Sequence, residues 1–428
     1  MRNIIYMILD GLADLPVKEL GQKTPLEAAY TPNLDRLAQM GVTGSVDPVK
    51  EGIFPESDLA VISLLGYDVG KYYTGRGPLE AFACGISIED GNLALRVNFA
   101  SADDDGRIIM DRRCAKSLSF EEASFLAGQI NSRVTLSGAT FEFKNTVGHR
   151  GVLVIRGIRS KLSGWITNTD PAYDRRGILG APCKEFSNKL LDCQPMPGYE
   201  DMPQAVEAAN LVNEFTRKSH QVLNECGVNK KRLSENKLPA NLILSRYAGD
   251  RLPGFAPIGE LYKDIKFGCF VEMPVERGIA LLTGMDIIAV PSSSGHMDVD
   301  YPVWAKVALD AMNGYNGVYI HIKGPDEAGH DKDHLKKKAV IEAIDKFLFG
   351  NIIPNIDLKK TIVCVTSDHI TDSVLGRHSF GCVPLLISGG KIKPDGTLSF
   401  SEKAAKLGSL GLLKGQDILA LLVKTAQG

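Results

Sequence analysis

Asn3-Ile-Ile-Tyr-Met-Ile-Leu-Asp10-Gly11 is a continuous apolar run closed by a carboxylate and a glycine. A run of that length with no polar alternation suits a strand buried on both faces of a parallel sheet. Two later stretches have the same form. Gly317-Val-Tyr-Ile-His-Ile-Lys323 runs into Gly324-Pro325-Asp326, and Thr361-Ile-Val-Cys-Val-Thr-Ser367 runs into Asp368-His369. Helical patterns surround them at Asn33–Met40, Trp304–Met312, Leu335–Phe349 and Asp417–Thr425, the first opened by Thr31 as an N-cap with Pro32 at the first helical position. Strands alternating with helices predict an α/β doubly wound, mostly parallel sheet.

Between residues 95 and 270 the character changes. Charges cluster at Asp103–Asp105, β-type runs are short (Gly151–Arg156), one long helical pattern covers Met202–Asn224, and Cys193–Met202 is rich in turn formers. The expectation is an inserted α+β domain over 95–270 that splits the α/β domain into 1–94 and 271–428. The 428 residues are enough for two domains. With 49 Lys+Arg against 51 Asp+Glu, the net charge of −2 argues against a nucleic-acid binder. No apolar run is long enough to span a membrane. The short stretch Ile4–Leu9 lacks a cleavage signal, and the eight cysteines form no C-x-x-C pair, so reduced thiols and a cytoplasmic location are expected.

Six of the eight histidines lie between His296 and His378. In open parallel sheets, ligands bind outside the carboxyl ends of the strands, where Asp10, Asp326 and Asp368 are expected. Asp326 and His330 are one helical turn apart, which lets both face one ion. Asp368 and His369 are adjacent and diverge, which suits two ions. His378 follows a glycine, Gly376, that lets the chain fold back. Each residue alone has an ordinary reading, as a turn, a cap or a packed imidazole. Six oxygen and nitrogen donors at the ends of three like strands make a divalent-metal constellation, suited to Mn²⁺, Mg²⁺, Co²⁺ or Zn²⁺. Ser57 opens a further helical pattern, where free N–H groups favour a phosphoryl group and a metal can activate the hydroxyl; its ordinary reading is an N-cap. His296, His321 and His334 are expected to be surface or packing residues.

The ordered set Asp10, Ser57, Asp326/His330, Asp368/His369, His378 resembles the alkaline phosphatase superfamily. Met7-Ile-Leu-Asp-Gly11, Ser57-Asp-Leu-Ala60 with Leu64-Leu-Gly-Tyr-Asp68, Tyr73-Thr-Gly-Arg-Gly-Pro-Leu-Glu-Ala81, Arg96-Val-Asn-Phe-Ala100, Pro325-Asp-Glu-Ala-Gly-His330 and Val383-Pro-Leu-Leu386 resemble, more narrowly, the archaeal-type cofactor-independent phosphoglycerate mutases. The resemblance runs across nearly the whole chain. It implies one divalent ion on Asp326, His330 and His378. It implies a second on Asp10, Asp368, His369 and Ser57, with Ser57 as the phosphorylated nucleophile. The implied reaction interconverts 3-phosphoglycerate and 2-phosphoglycerate without 2,3-bisphosphoglycerate, with Mn²⁺ the first choice of metal. A phosphoserine must be kept from water while glycerate reorients, a task suited to the inserted domain. Arg96, Arg112, Arg113, Arg150 and Arg246 are candidates for holding substrate anions, Arg246 also for catalysis. Asp170, in Thr169-Asp-Pro171, resembles a family segment that supplies an acid/base group. Glu56, Ile370–Asp372, Pro291-Ser-Ser-Ser-Gly295, Arg112-Arg-Cys-Ala-Lys116 and Asp170–Asp174 depart from the family pattern. They bear on the substrate, and a related metal-dependent phosphohydrolase or phosphotransferase is the alternative. No membrane or nucleic-acid partner is expected, and oligomeric state is open.

Overall fold

The chain forms an α/β fold with a mostly parallel central sheet, in a computed structural model that describes residues 2–50, 52–263, 265–291 and 293–428. It divides into two units, residues 1–72 with 254–428 and residues 73–253.

The first unit is built on an eight-stranded sheet: β1 (Asn3–Leu9), β2 (Gly41–Asp47), β3 (Phe267–Val271), β4 (Asp286–Ile287), β5 (Gly317–Ile322), β6 (Thr361–Thr366), β7 (Val383–Gly389) and β8 (Leu412–Lys414). Their spatial order is β4-β3-β5-β1-β6-β7-β2-β8. All run parallel except β7, which is antiparallel to both its neighbours. The three apolar runs are therefore the three adjacent strands β5, β1 and β6. Ile8 lies opposite both His321 and Thr366, so their carboxyl ends are level. Helices cover the sheet with Leu34, Leu37, Trp304, Ile341 and Leu348, whose burial against Ile5, Met7, Val318 and Val365 makes the core.

Helix Pro32–Gln39 begins where the Thr31-Pro32 signal puts it, yet the Thr31 side chain makes no capping bond. The Asp345 carboxylate does that work, accepting from the backbone N–H of Asn33 (3.2 Å) and Leu34 (2.8 Å). The pattern at Leu335–Phe349 is helix His334–Ala343 followed by a π turn, Ile344–Phe349.

The second unit contains a five-stranded antiparallel sheet. Its longest strand, Leu93–Ala102, pairs with Arg150–Gly157, Leu242–Gly249 and Ile109–Asp111, and Ala139–Asn145 pairs with Arg150–Gly157. Helices Phe120–Arg133 and Pro203–Glu225 pack their apolar stripes on it through Leu126, Ile130, Val212 and Phe215. The partition thus falls at 72/73 and 253/254 rather than at 94/95 and 270/271. Residue 95 lies inside a strand, and helix Arg76–Ala83 lies close against that strand at Gly77, where a Cβ would strike the Ala94 carbonyl. On the other side, β3 belongs to the parallel sheet. No helix of the described residues is long and apolar enough to cross a membrane.

Candidate metal centre and arginine cluster

The level ends of β5, β1 and β6 bring Asp326, Asp10 and Asp368 together in the first unit. Asp10 follows β1 directly and Asp368 follows β6 by one residue. Asp326 lies in the first turn of helix Gly324–His330, with Pro325 near its start. The four-residue spacing puts His330 on the same face, its Nε2 3.4 Å from Asp326 Oδ1. His378 reaches the group from a hairpin, Ile370–Asp372 paired with Arg377–Ser379, and its Nε2 lies 3.5 Å from Asp326 Oδ1 and 3.1 Å from His330 Nε2. Gly376 turns that hairpin at φ +71, where a Cβ would press on Lys332 and the His330 carbonyl.

His369 Nε2 lies 3.3 Å from Asp10 Oδ1 and 3.3 Å from Asp368 Oδ2, and 3.2 Å from Ser57 Oγ. Ser57 is the first residue of helix Ser57–Leu64, one position past the cap, which Glu56 occupies without a side-chain capping bond. Its hydroxyl is therefore engaged with His369 rather than spent as a cap. The seven residues expected in the metal centre converge, in two groups: Asp326, His330 and His378, and Asp10, Asp368, His369 and Ser57. Asp10, Asp326 and His369 also fall within reach of one another, so the groups adjoin.

Whether divalent ions fit is answered by the donors. Asp10 Oδ1 and Asp368 Oδ2 are buried and accept no hydrogen bond. Buried carboxylate oxygens without donors are costly, and cations satisfy them. The donor set, oxygen and imidazole nitrogen without sulfur, suits borderline divalent ions.

Two members of this centre were not expected from sequence. His321, read as a packing or surface residue, is fully buried on β5, and its Nε2 lies 3.0 Å from Asp10 Oδ2 and 3.8 Å from Asp368 Oδ2. Burial opposes its charging, but the hydrogen bond and charge of Asp10, with the charge of Asp368, outweigh it and push the imidazole up to about 9. The signal was a lone histidine inside an apolar strand, on the strand just before an aspartate-bearing helix. Lys323 donates to Asp10 Oδ2 (2.6 Å) and Asp326 Oδ2 (2.8 Å), spanning the two groups. Asp326 is held far below the usual carboxylate range: burial works against this, and the charges of Lys323, His330 and His378 prevail. His296 is exposed and His334 half-buried, as expected of incidental histidines.

The altered flanks have structural roles. Asp372 Oδ1 accepts from the N–H groups of Val374 and Leu375 (both 2.9 Å) and shapes the hairpin turn. The Ser293 and Ser294 hydroxyls each donate to the Asp300 carboxylate (2.7 Å), near the start of helix Met297–Ala311. Ser292 lies outside the described residues.

All the candidate arginines, and Asp170, lie in the second unit. Strand register sets Arg96 opposite Arg246 and Asn98 opposite Arg150. Like charges across a ladder are unfavourable unless countered. Two buried carboxylates supply part of the balance. Glu80 accepts from Arg76 Nε (2.7 Å) and Arg96 Nη1 (3.0 Å). Asp170 accepts a bidentate pair from Arg112, its Nε bond at 2.8 Å, and a third bond from Arg246 Nη1 (3.1 Å). Burial would raise the Asp170 carboxyl, but Arg112 and Arg246 hold it below its ordinary value. Its carboxylate thus sits between two guanidinium groups and bonds to both. The excess positive charge persists: burial and the neighbouring Arg76 pull Arg96 down to about 9, and burial with Arg150, Arg113, Arg246 and Arg96 pulls His149 down to about 3. Arg113 is exposed. Arg96 and Arg246 each keep a buried Nε without a partner. Buried guanidinium N–H groups left without a partner can receive an anion.

Comparison with known proteins agrees with this chemistry. A family model described as 2,3-bisphosphoglycerate-independent phosphoglycerate mutase matches residues 38–229. A protein of that description from Aeropyrum pernix is 40% identical over 418 residues, covering 96% of each chain. Another, from Thermococcus kodakarensis, is 37% identical over 422 residues, covering 99% of this chain and 97% of the relative. Among solved structures, PH0037 from Pyrococcus horikoshii superposes with TM-score 0.79 at 30% identity, over 100% of this chain and 97% of that one. The cofactor-independent phosphoglycerate mutase from Thermoplasma acidophilum does so with TM-score 0.64 at 30% identity, over 100% of both. With its fold, its ligand constellation and relatives matched end to end, the chain belongs to the 2,3-bisphosphoglycerate-independent phosphoglycerate mutase family.

Proposed function

We propose that this protein interconverts 3-phosphoglycerate and 2-phosphoglycerate by way of a phosphoserine at Ser57. The observation that carries this is the position of Ser57: a buried hydroxyl at a helix N-terminus, 3.2 Å from His369 Nε2, which in turn lies beside Asp10 and Asp368, each with an unsatisfied buried oxygen. The family relationship supports the choice of substrate.

Two divalent ions, Mn²⁺ first among them, would be held by Asp326, His330 and His378 and by Asp10, Asp368, His369 and Ser57. When bound, such ions lower the pKa of a serine hydroxyl and neutralise charge on phosphoryl oxygens. Ser57 Oγ attacks the substrate phosphorus, the P–O bond to glycerate breaks, and the proton passes to the departing glycerate oxygen. The glycerate then presents its other hydroxyl to the phosphoserine, and the reverse displacement restores Ser57. The N–H groups of the first turn of helix Ser57–Leu64 and the Lys323 ammonium offer donors for phosphoryl oxygens. Arg96, Arg112, Arg113, Arg150 and Arg246 serve as anion-binding groups for phosphoglycerate, and Asp170 positions two of them. The second unit acts as the substrate-binding lid in this reading.

Mn²⁺-loaded protein incubated with 3-phosphoglycerate and coupled to enolase is expected to form 2-phosphoglycerate without added bisphosphoglycerate. Ser57→Ala is expected to abolish turnover, by about 10³-fold or more, while bound metal persists. Release of inorganic phosphate outpacing isomerisation would replace the mutase with a phosphohydrolase. Turnover by Ser57→Ala at the wild-type rate would remove Ser57 from the mechanism.

A further inference from the structure

Beneath the metal centre lies an ammonium that the chemistry above does not use. Lys337, on helix His334–Ala343, is fully buried. Its Nζ donates to three acceptors, Ala13 O (3.1 Å), Asp14 Oδ2 (2.8 Å) and Thr371 O (2.7 Å). An ammonium has three N–H groups, and here each has one acceptor. The acceptors belong to two separate ligand-bearing segments: Ala13 and Asp14 follow Asp10, and Thr371 follows His369. The segments are also joined directly, since Thr371 N–H donates to Ala13 O (3.1 Å) and Ser373 N–H to Asp14 Oδ1 (3.2 Å).

Thr371 carries this connection to the donors. Its hydroxyl donates to Asp326 Oδ1 at 2.6 Å, and its Oγ1 lies 3.1 Å from His369 Nδ1. A hydroxyl has one proton. With that proton given to Asp326, the contact with His369 is a hydrogen bond only if Nδ1 carries the hydrogen. Nε2 then keeps its lone pair, facing Ser57, Asp10 and Asp368. The threonine has little freedom to turn away. A Cβ on Gly11 would collide with Thr371 Oγ1, and one on Gly329 would come within 2.6 Å of Thr371 Cγ2.

We infer that Thr371 and Lys337 are positioning residues: the Thr371 hydroxyl selects the His369 tautomer that can ligate and fixes Asp326, and the buried Lys337 ammonium locks the Thr371 backbone to the segment following Asp10. Outer hydrogen bonds of this kind typically change metal affinity by about 10- to 100-fold when removed. The inference rests on the metal-centre reading, and its test is separable from that of the reaction.

Thr371→Val keeps the shape and removes the hydroxyl; Thr371→Ser restores it. In metal-free protein at alkaline pH, where imidazole is neutral, the assigned ¹⁵N signals of His369 are expected to show the Nδ1–H form, to become mixed in Thr371→Val and to return in Thr371→Ser, while those of His220, His330 and His378, whose Nδ1 atoms face backbone carbonyls, stay Nδ1–H throughout. Calorimetric titration with Mn²⁺ is expected to show affinity falling about 10-fold or more in Thr371→Val and recovering in Thr371→Ser. Lys337→Met is expected to weaken Mn²⁺ similarly, and the double variant to be no weaker than either single one, because both act through the same group. Unchanged tautomer and Mn²⁺ affinity in Thr371→Val would overturn the inference, as would additive losses in the double variant. If Lys337→Met does not fold, the threonine pair decides alone. Should the tautomer respond as described in a protein that does not isomerise phosphoglycerate, the positioning role stands and the mutase reading falls.

Discussion

Asp170→Asn tests whether the second unit's carboxylate is an acid/base group or an organiser of arginines. The side chain is completely buried and accepts from Arg112 Nε and Nη2 and from Arg246 Nη1. At a separation of roughly 3 Å and an effective dielectric of about 20, each charge pair is worth about 5 kcal/mol before desolvation is subtracted. Measured losses on breaking such buried pairs are about 3–5 kcal/mol, mostly from stranding the partner charge. Asparagine retains one acceptor and turns its NH₂ toward a guanidinium, so a loss near the lower bound, about 3 kcal/mol, is expected. For a unit of this size that lowers the melting temperature by roughly 6–12 °C. In catalysis, releasing one arginine from its anion-binding pose forfeits a charge-assisted hydrogen bond of about 1.5–3 kcal/mol. That corresponds to a KM for phosphoglycerate raised about 10- to 150-fold. Coupled-assay kinetics across pH, with a thermal melt of the same sample, measure both. A fall in kcat at unchanged KM, with loss of one limb of the pH profile, would refute the organising role and restore Asp170 as the proton-transfer group.

Glu402 accepts from the Asp14 N–H (3.2 Å) and the Thr24 hydroxyl (2.7 Å), and burial lifts its carboxyl to about 7. A folded value above the unfolded one means stability that is full below about pH 4.5 and is lost as pH rises through about 7. Glu402→Gln should therefore gain up to about 3 kcal/mol over the native protein at pH 8 and little at pH 5, read from denaturant unfolding at the two pH values; equal gains at both would contradict it. Chelation should destabilise the first unit: at 100-fold excess over Kd a bound ion contributes about 2.7 kcal/mol, so EDTA should lower the melt by several degrees and Mn²⁺ restore it. A melt indifferent to both would count against a metal at the unsatisfied oxygens of Asp10 and Asp368.

The skeleton of the candidate metal centre is legible in the sequence because its signals are local. An unbroken apolar run ending in aspartate specifies both a buried strand and the edge where its carboxylate emerges, and three such runs become neighbours in one sheet. The Asp326–His330 spacing is a helical turn wherever that helix sits. What stayed hidden depends on partners distant in sequence. His321 looks like one more strand residue until β5 is placed beside β1 and its imidazole meets Asp10. Lys323 and Thr371 are unremarkable letters until the ends of three strands close around them. The compact units part at 72/73 because helix Arg76–Ala83 packs on the strand from Leu93 onward, a contact between segments that no local sequence signal announces. The arginine cluster was suspected residue by residue, but the opposition of Arg96 and Arg246 is a fact of register.

The level ends of β5, β1 and β6 have a consequence for how such a protein can change. Adjacent strands lie about 4.8 Å apart whatever their side chains, so the spacing between the aspartates is a ruler supplied by the backbone. Altered flanks such as Asp372 and Ser294 settle into turns and helix starts without moving that ruler. The arginines are placed by a different sheet in a different unit. In the proposed reaction, metal chemistry and choice of anion would therefore rest on separate pieces of architecture. A descendant could then exchange one acid for another by editing the second sheet while the aspartates at the ends of the first keep their spacing.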